Sequence, residues 1–333
     1  MSMANKNLNA AKSAKKDEFY TQLTDIEKEL RHYKEHFRGK TVLCNCDDPR
    51  VSNFYKFFKL NFEHLGLKCL ITTCYKNQDV DLFSQNTSEK AKYIIYEGDT
   101  NGNNTIDEDE SQIRDLKGDG DFRSAECVEL LKKADIVVTN PPFSLFREYV
   151  AQLFKYEKKF LIIGNVNAVS LKEFFPLIRD NKVWIGPSIH SGDREFGVPD
   201  DYPLEAAGCR QDKDGKKYIR VKGIRWFTNL DYKERHEPMI LYKKYSLAEF
   251  PRYDNYDAIE VSKTAEIPED FYGIMGVPIT FIDKYCPEQF EILGITENAD
   301  YLKPYTLAGF EKYDRCYLNG KRLYSRILIR RKQ

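Results

Sequence analysis

Apolar positions first recur at helical spacing at Ile26, Leu30, Tyr33 and Phe37, and Gly39 stops the pattern. Thr24 with Glu27 predicts a capping box at the start of that helix. The run Thr41-Val42-Leu43-Cys44-Asn45-Cys46 is apolar without alternation and reads as a buried strand ending on Asp47-Asp48-Pro49. The same rhythm continues: helix 52–65 closed by Gly66, strand 68–75, helix 124–133, strand 135–139, helix 144–156, strand 159–165, helix 170–180 and strand 182–186, with Ser170 and Glu173 as a second capping box. Short apolar strands alternating with amphipathic helices predict βαβ units. The fold class is therefore α/β, a parallel sheet covered on both faces, with ligands at the carboxyl ends of its strands. After about residue 187 single strands at 217–225 and 225–230 replace the alternation. From 246 onwards Tyr, Pro, Lys and Arg dominate, which predicts a smaller lobe at 246–333 after a domain at 1–245.

Composition narrows the class. With 41% apolar and 14% aromatic residues and 31% charged, the 333-residue chain can bury a core, which excludes wholesale disorder. The longest apolar runs fall far short of the roughly 20 residues that span a bilayer. No membrane segment is predicted, and the polar start MSMANKNLNA has no signal-peptide character. Eight cysteines without paired-ligand spacing read as free thiols, hence a reducing cytoplasm. Lys plus Arg equals Asp plus Glu at 52 each, yet the charges are blocked. Residues 1–16 are net +4, 79–121 net −8, 210–244 net +6 and 301–333 net +7. Such blocks fit a protein with a polyanion-facing side.

The sharpest chemical signal is Asp135-Ile136-Val137-Val138-Thr139-Asn140-Pro141-Pro142-Phe143, a buried strand that stops at an Asn-Pro-Pro-aromatic turn. Two prolines lack N–H groups and fix φ, so the chain leaves the sheet in one rigid extended turn. That aims the Asn140 amide and the Pro141 carbonyl together, with the Phe143 ring beside them. An amino group on an aromatic ring is a poor nucleophile because its lone pair is delocalised. Two acceptors holding its hydrogens would localise that lone pair, while Phe143 stacks on the heterocycle.

These residues resemble motif IV of the amino-methyltransferases that use S-adenosylmethionine, a motif shared by enzymes acting on adenine or cytosine in DNA, guanine in RNA, or glutamine in protein. Asp17-Glu18-Phe19-Tyr20-Thr21-Gln22 resembles motif X, which covers the cofactor's methionine end; Gln22 replaces the usual Pro. Asp48-Pro49-Arg50-Val51-Ser52-Asn53-Phe54 resembles motif I without its glycines, and Asp47 adjoins it. Asp119-Gly120-Asp121-Phe122 falls where motif III belongs, with Asp121 and Phe122 on the cofactor adenine. The ribose-binding acid expected after the second strand is absent, since that strand ends Thr72-Thr73-Cys74-Tyr75. With Met275-Gly276-Val277-Pro278-Ile279-Thr280-Phe281, the motifs together are similar to the EcoRI-type adenine-specific DNA methyltransferases in the gamma motif order.

That resemblance implies a Rossmann-like doubly wound methyltransferase sheet with a C-terminal target-recognition lobe. It implies S-adenosylmethionine as cofactor and no metal. It further implies methyl transfer to adenine N6 in a short double-stranded DNA site, GAATTC by likeness. The enzyme would act as a monomer, with a cognate restriction endonuclease as genetic partner. The base must then be flipped out, and Trp226 and Phe227 in Trp226-Phe227-Thr228-Asn229 either face it or form a core strand, an equal choice from sequence. The same Asn-Pro-Pro-Phe machinery acting on RNA or a protein side chain is the alternative. Asp99 to Glu110 nearly writes a calcium loop, but Asn104 stands where glycine is needed and a strand precedes it. Pro199-Asp200 with Asp231-Tyr232-Lys233 imitates a nuclease motif without its βαβ context.

Overall fold

The computed structural model describes residues 20–46, 48–50, 52–75, 91–99, 111–190, 192–198, 208–296, 300–307 and 315–333. Phe19, Asp47, the basic run 1–16, residues 100–110 of the calcium-like loop and Pro199-Asp200 lie outside them. The chain divides into two compact units, 1–165 with 191–230, and 166–190 with 231–333. Their boundaries are not a single cut near residue 245: segment 166–190 belongs with the later unit.

The first unit opens with α1 (Leu23–Leu30), which buries Ile26 and Leu30; a 3₁₀ turn, Arg31–His36, carries the same face on to Tyr33 and Phe37. Its N-cap is Gln22, and no side chain caps it, so the expected Thr24–Glu27 box does not form; Thr24 already lies inside the helix. The strands β1 (Thr41–Cys44), β2 (Cys69–Thr73), β3 (Lys92–Tyr96), β4 (Arg114–Asp115), β5 (Ile136–Thr139) and β6 (Lys159–Asn165) follow. Between them lie α2 (Asn53–Leu60), α3 (Phe62–Leu65), α4 (Ala125–Lys133) and α5 (Phe146–Lys155). The chain then leaves this unit through α6 (Phe175–Arg179) and β7 (Trp184–Ile185). Ser170 bonds the Asn167 carbonyl instead of capping that helix, whose N-cap is Phe174.

The chain returns to the first unit with β8 (Asp193–Val198), β9 (Cys209–Gln211), β10 (Lys217–Lys222) and β11 (Ile224–Thr228). Seven strands of this unit pair in the order β4-β3-β2-β1-β5-β6-β11. The central four, β2-β1-β5-β6, are parallel, and the outer pairings are antiparallel. Every residue of β1, β2, β5 and β11 is buried, the pattern of a sheet covered on both faces. Neighbouring residues of β11 demonstrate it. Trp226 meets Phe54 of α2 edge-on at 6.1 Å, whereas Phe227, on the opposite face, lies 5.4 Å from Phe146 of α5. Close packing at α5 needs Gly164 in β6, because a Cβ there would sit 2.5 Å from the Phe146 ring. Strands β8, β10 and β9 form a separate antiparallel sheet.

The second unit is built on β12 (Ile259–Glu260), β13 (Ile274–Pro278), β14 (Phe290–Ile295) and β17 (Arg326–Arg331), in the order β12-β13-β17-β14. The pair β15 (Tyr317–Leu318) and β16 (Lys321–Arg322) precedes β17 as a short hairpin. Ile327, Leu328 and Ile329 are fully buried. Arg326 makes a buried ion pair with Glu260 at 2.7 Å, and Tyr253 donates to the same carboxylate. Buried charge is tolerated there because both partners are multiply hydrogen-bonded.

Candidate active site

The order of the central strands fixes where a ligand belongs. From β1 the chain builds outward to β2, β3 and β4, then returns to β5 beside β1 and builds the other way to β6. Adjacent parallel strands whose connections depart in opposite directions leave a crevice at their carboxyl ends, and β1 and β5 are that pair here. Asn45 follows β1 and Asn140 follows β5.

A buried network joins the two strand ends. Thr139 donates its hydroxyl to the Asn45 carbonyl, and Tyr149 of α5 donates its phenol to the Asn45 side-chain oxygen. Thr139 and Tyr149 are fully buried and Asn45 nearly so. Burial pushes the Tyr149 hydroxyl well above its ordinary pKa, so it remains a neutral donor. Cys46, at φ +65°, then bends the chain away from β1 into the Asp48-Pro49-Arg50 turn. The Asn140 residue is 9% exposed, Pro141 is buried, and Phe143 is half-buried in a 3₁₀ turn, Phe143–Leu145.

The segments singled out as motifs I, III, IV and X converge here. After β1, Ser52 accepts from the Tyr55 amide and caps α2, and the Asp48 carboxylate is gripped by Arg50. Asn53, the first residue of α2, donates to the Thr21 carbonyl at 2.8 Å, fastening the Tyr20-Thr21 segment to that helix start. Tyr20 also exchanges both backbone hydrogen bonds with Gly197 of β8. The neighbouring residue Phe196 meets Phe143 edge-on at 6.5 Å. On the other side of β1, Gly120 at φ +80° presses against the Cys74 carbonyl just beyond β2, where a Cβ would be 2.1 Å from that oxygen; no other residue fits. That contact holds Asp121 and Phe122 in place. Phe122 packs edge-on against Tyr149 at 5.0 Å. Arg123 binds Asp121 at 2.6 Å and Glu148 at 2.7 Å, and it holds the Asp121 carboxyl below the usual carboxylate range.

Of the expected site residues, Tyr20, Asp48, Pro49, Asp121, Phe122, Asn140, Pro141, Pro142 and Phe143 are therefore gathered by β1, β5 and their neighbours. Trp226 and Phe227 instead lie within β11, away from the strand ends. Both rings are fully buried between the sheet and its helices, which fits the core-strand alternative and leaves neither a face for a base. Asn45, Tyr149, Arg123 and Phe196 were missed. Asn45, Tyr149 and Phe196 meet partners up to 104 residues away, which no local spacing announces, whereas Arg123 binds Asp121 two residues before it, a spacing the sequence does carry.

The donor set suits a nucleoside with a charged amino-acid tail. Two carboxylates, an aromatic ring, two arginines and a capped helix start stand at adjoining strand ends; each carboxylate is fixed by the arginine two residues on, and Asp121 keeps an Oδ2 lone pair for a further donor.

A family model described as "Adenine-specific methyltransferase EcoRI" matches residues 7–332. The Type II methyltransferase M.EcoRI of Escherichia coli is 49% identical over 331 residues, covering 99% of this chain and 97% of that protein. Type II methyltransferases M.MgeORF184P of Mycoplasma genitalium and M.MpnI of Mycoplasma pneumoniae are 38% and 37% identical, each over 98% of both chains. No solved structure gives a significant match.

Proposed function

Because this chain belongs to the EcoRI family of adenine-specific methyltransferases, we propose that it methylates N6 of an adenine flipped out of a short duplex DNA site, as the protective partner of a restriction endonuclease. S-adenosylmethionine, when bound, supplies a methyl group on an electrophilic sulfonium. Tyr20, Asp48, Pro49, Asp121 and Phe122 are the residues that would hold it, Asp121 accepting from its adenine and Phe122 packing on the ring. M.EcoRI is the relative that suggests GAATTC as the site, and the chain would act as a monomer.

The observation that carries this reading is the Asn140-Pro141 turn, anchored through Thr139 and Asn45 at the end of β5 beside β1. The Asn140 side-chain oxygen and the Pro141 carbonyl accept the two N6 hydrogens and localise the nitrogen lone pair. Phe143, backed by Phe196, stacks on the base. The proton released on methylation leaves through these acceptors to solvent, with no ionised base required. Tyr149 and Thr139 fix the strand ends so that this alignment exists before substrate arrives.

The test is transfer of tritiated methyl from S-adenosylmethionine into duplex DNA, RNA and ribosomal protein, with long-read sequencing of the labelled DNA. Label in duplex adenine at one short motif is the expected result. Label confined to RNA or protein overturns the reading.

A further inference from the structure

The second unit carries a short exposed hairpin that is braced from its core side. Strands β15 and β16 are two residues each, joined by Asn319-Gly320, and both connecting residues have positive φ, +51° and +73°. This is the tight I′ geometry that suits the twist of paired strands. An isolated ribbon of this length is barely stable in water. Here it is held from below. Asp254 accepts from the Asn319 and Gly320 amides at 3.2 and 2.7 Å, and its own amide donates to the Tyr317 carbonyl. Asn255, 1% exposed, accepts from the Tyr317 amide and donates to the Arg315 carbonyl. Cys316 is fully buried in the core with Tyr253, Tyr256 and Leu302, and Leu323 packs on that cluster.

The opposite side presents Asn319, Gly320, Lys321 and Arg322 to solvent, with Tyr324 81% exposed just beyond. No acidic residue occurs from Arg315 to the C-terminus. The carboxylate beneath the tip, Asp254, is turned onto its backbone. A fixed ribbon that shows an amide and two cations is matched to the major groove of duplex DNA, which admits a two-stranded ribbon. There Lys and Arg bond guanine O6 and N7, and Asn bonds adenine N6 and N7. Phosphate attraction alone would need no such bracing. Reading base edges does, because a loosely held side chain loses its geometric selectivity.

We propose that the Tyr317–Arg322 hairpin reads base edges in the major groove, with Asn319, Lys321 and Arg322 as specificity-determining residues. This rests on duplex DNA being the substrate. The experiment compares the full-length wild type with Lys321→Gln/Arg322→Gln on a duplex carrying the wild-type site and on duplexes with each base pair changed in turn. Cofactor affinity by calorimetry and the thermal midpoint serve as controls for folding. For the variant, kcat/KM on the wild-type site is expected to fall about 10- to 100-fold, and discrimination to collapse at one or two positions, with cofactor affinity and midpoint retained. A variant that discriminates as well as wild type at every position overturns the hairpin's role, even if its affinity falls evenly for all duplexes. A wild type inactive on every duplex overturns the substrate reading as well, so the two failures are told apart.

Discussion

Tyr149 and Asn45, 104 residues apart in the chain, are joined by a buried hydrogen bond from the phenol to the amide oxygen. The bond links α5 to the end of β1, and Asn45 in turn receives Thr139, the residue before Asn140. Tyr149→Phe should therefore do two things. Leaving the Asn45 oxygen buried and unsatisfied should cost about 1–3 kcal/mol in denaturant unfolding. Loosening the strand end should lower the single-turnover methylation rate while DNA affinity stays near wild type. A rate equal to wild type would limit Tyr149 to a purely structural role.

Asn140→Ala removes an acceptor from the proposed amino-group clamp and leaves the two prolines in place. Turnover should fall about 100-fold or more, with duplex binding in a gel-shift assay largely kept. Near-normal turnover would refute the assignment.

Trp226 is a structural residue in this fold, and its substitution should behave accordingly. Trp226→Ala should destabilise the first unit by about 3–5 kcal/mol. Trp226→Phe should cost less and leave the fluorescence response of a 2-aminopurine target base unchanged. A selective loss of that response at full stability would restore the base-facing reading.

His236 is poised between two carboxylates, with Nδ1 2.8 Å from Glu288 and Nε2 2.8 Å from Asp231. Only the protonated ring donates to both. Its pKa is raised, first by the bond to Glu288 and then by that to Asp231. Arg235 also bonds Asp231, and Cys286 bonds Glu288. A raised folded value means that the clamp's stabilisation is complete below the ordinary imidazole value and is lost as pH rises through the raised one. The wild-type thermal midpoint should thus fall relative to His236→Gln as pH rises above the ordinary imidazole value. The ring is 39% exposed, so solvent screening keeps the effect below about 1 kcal/mol. Parallel midpoint curves for the two proteins would contradict the clamp.

DNA affinity should drop steeply with salt although the chain's net charge is zero. Each phosphate contact made by the basic segments at 210–244 and 301–333 contributes about −0.9 to the slope of log K against log salt. A flat salt titration by fluorescence anisotropy would mean that the charge blocks do not face the duplex.

The parts of this molecule visible in its sequence are those whose cause is local. β1, β5 and β6 are continuous apolar runs because both sheet faces are covered, and the Asn140 turn stands out because two prolines cannot extend a strand. Ser52 caps α2 as small polar residues do at helix starts. Thr24-x-x-Glu27 misled for the complementary reason: the same spacing occurs inside a helix, and nothing local distinguishes the two. Trp226 and Phe227 have the composition of a stacking platform, and only the packing of Phe54 and Phe146 on them reveals a core strand. Phe196 reaches Phe143 through a strand some fifty residues later, a contact that depends on the three-dimensional return of β8.

The excursion of residues 166–190 out of the first unit governs how the chain folds during its synthesis. The first unit closes only when β11 has emerged, after residue 228, because the sheet edge at β6 awaits it. Helix α6 must wait longer, since it packs against β14 at residues 290–295. At about 5–20 residues per second of elongation, a helix that exposes Phe175 and Ile178 therefore stays without its partner for several seconds or more. Neither unit is a contiguous stretch of polypeptide, so truncation before β11 leaves both incomplete, whereas truncation after residue 230 leaves every segment of the first unit present and only the second incomplete. A fragment ending near residue 230 is expected to fold its first unit while Phe175 and Ile178 remain uncovered, so nascent chains arrested there should be bound by chaperones through segment 166–190.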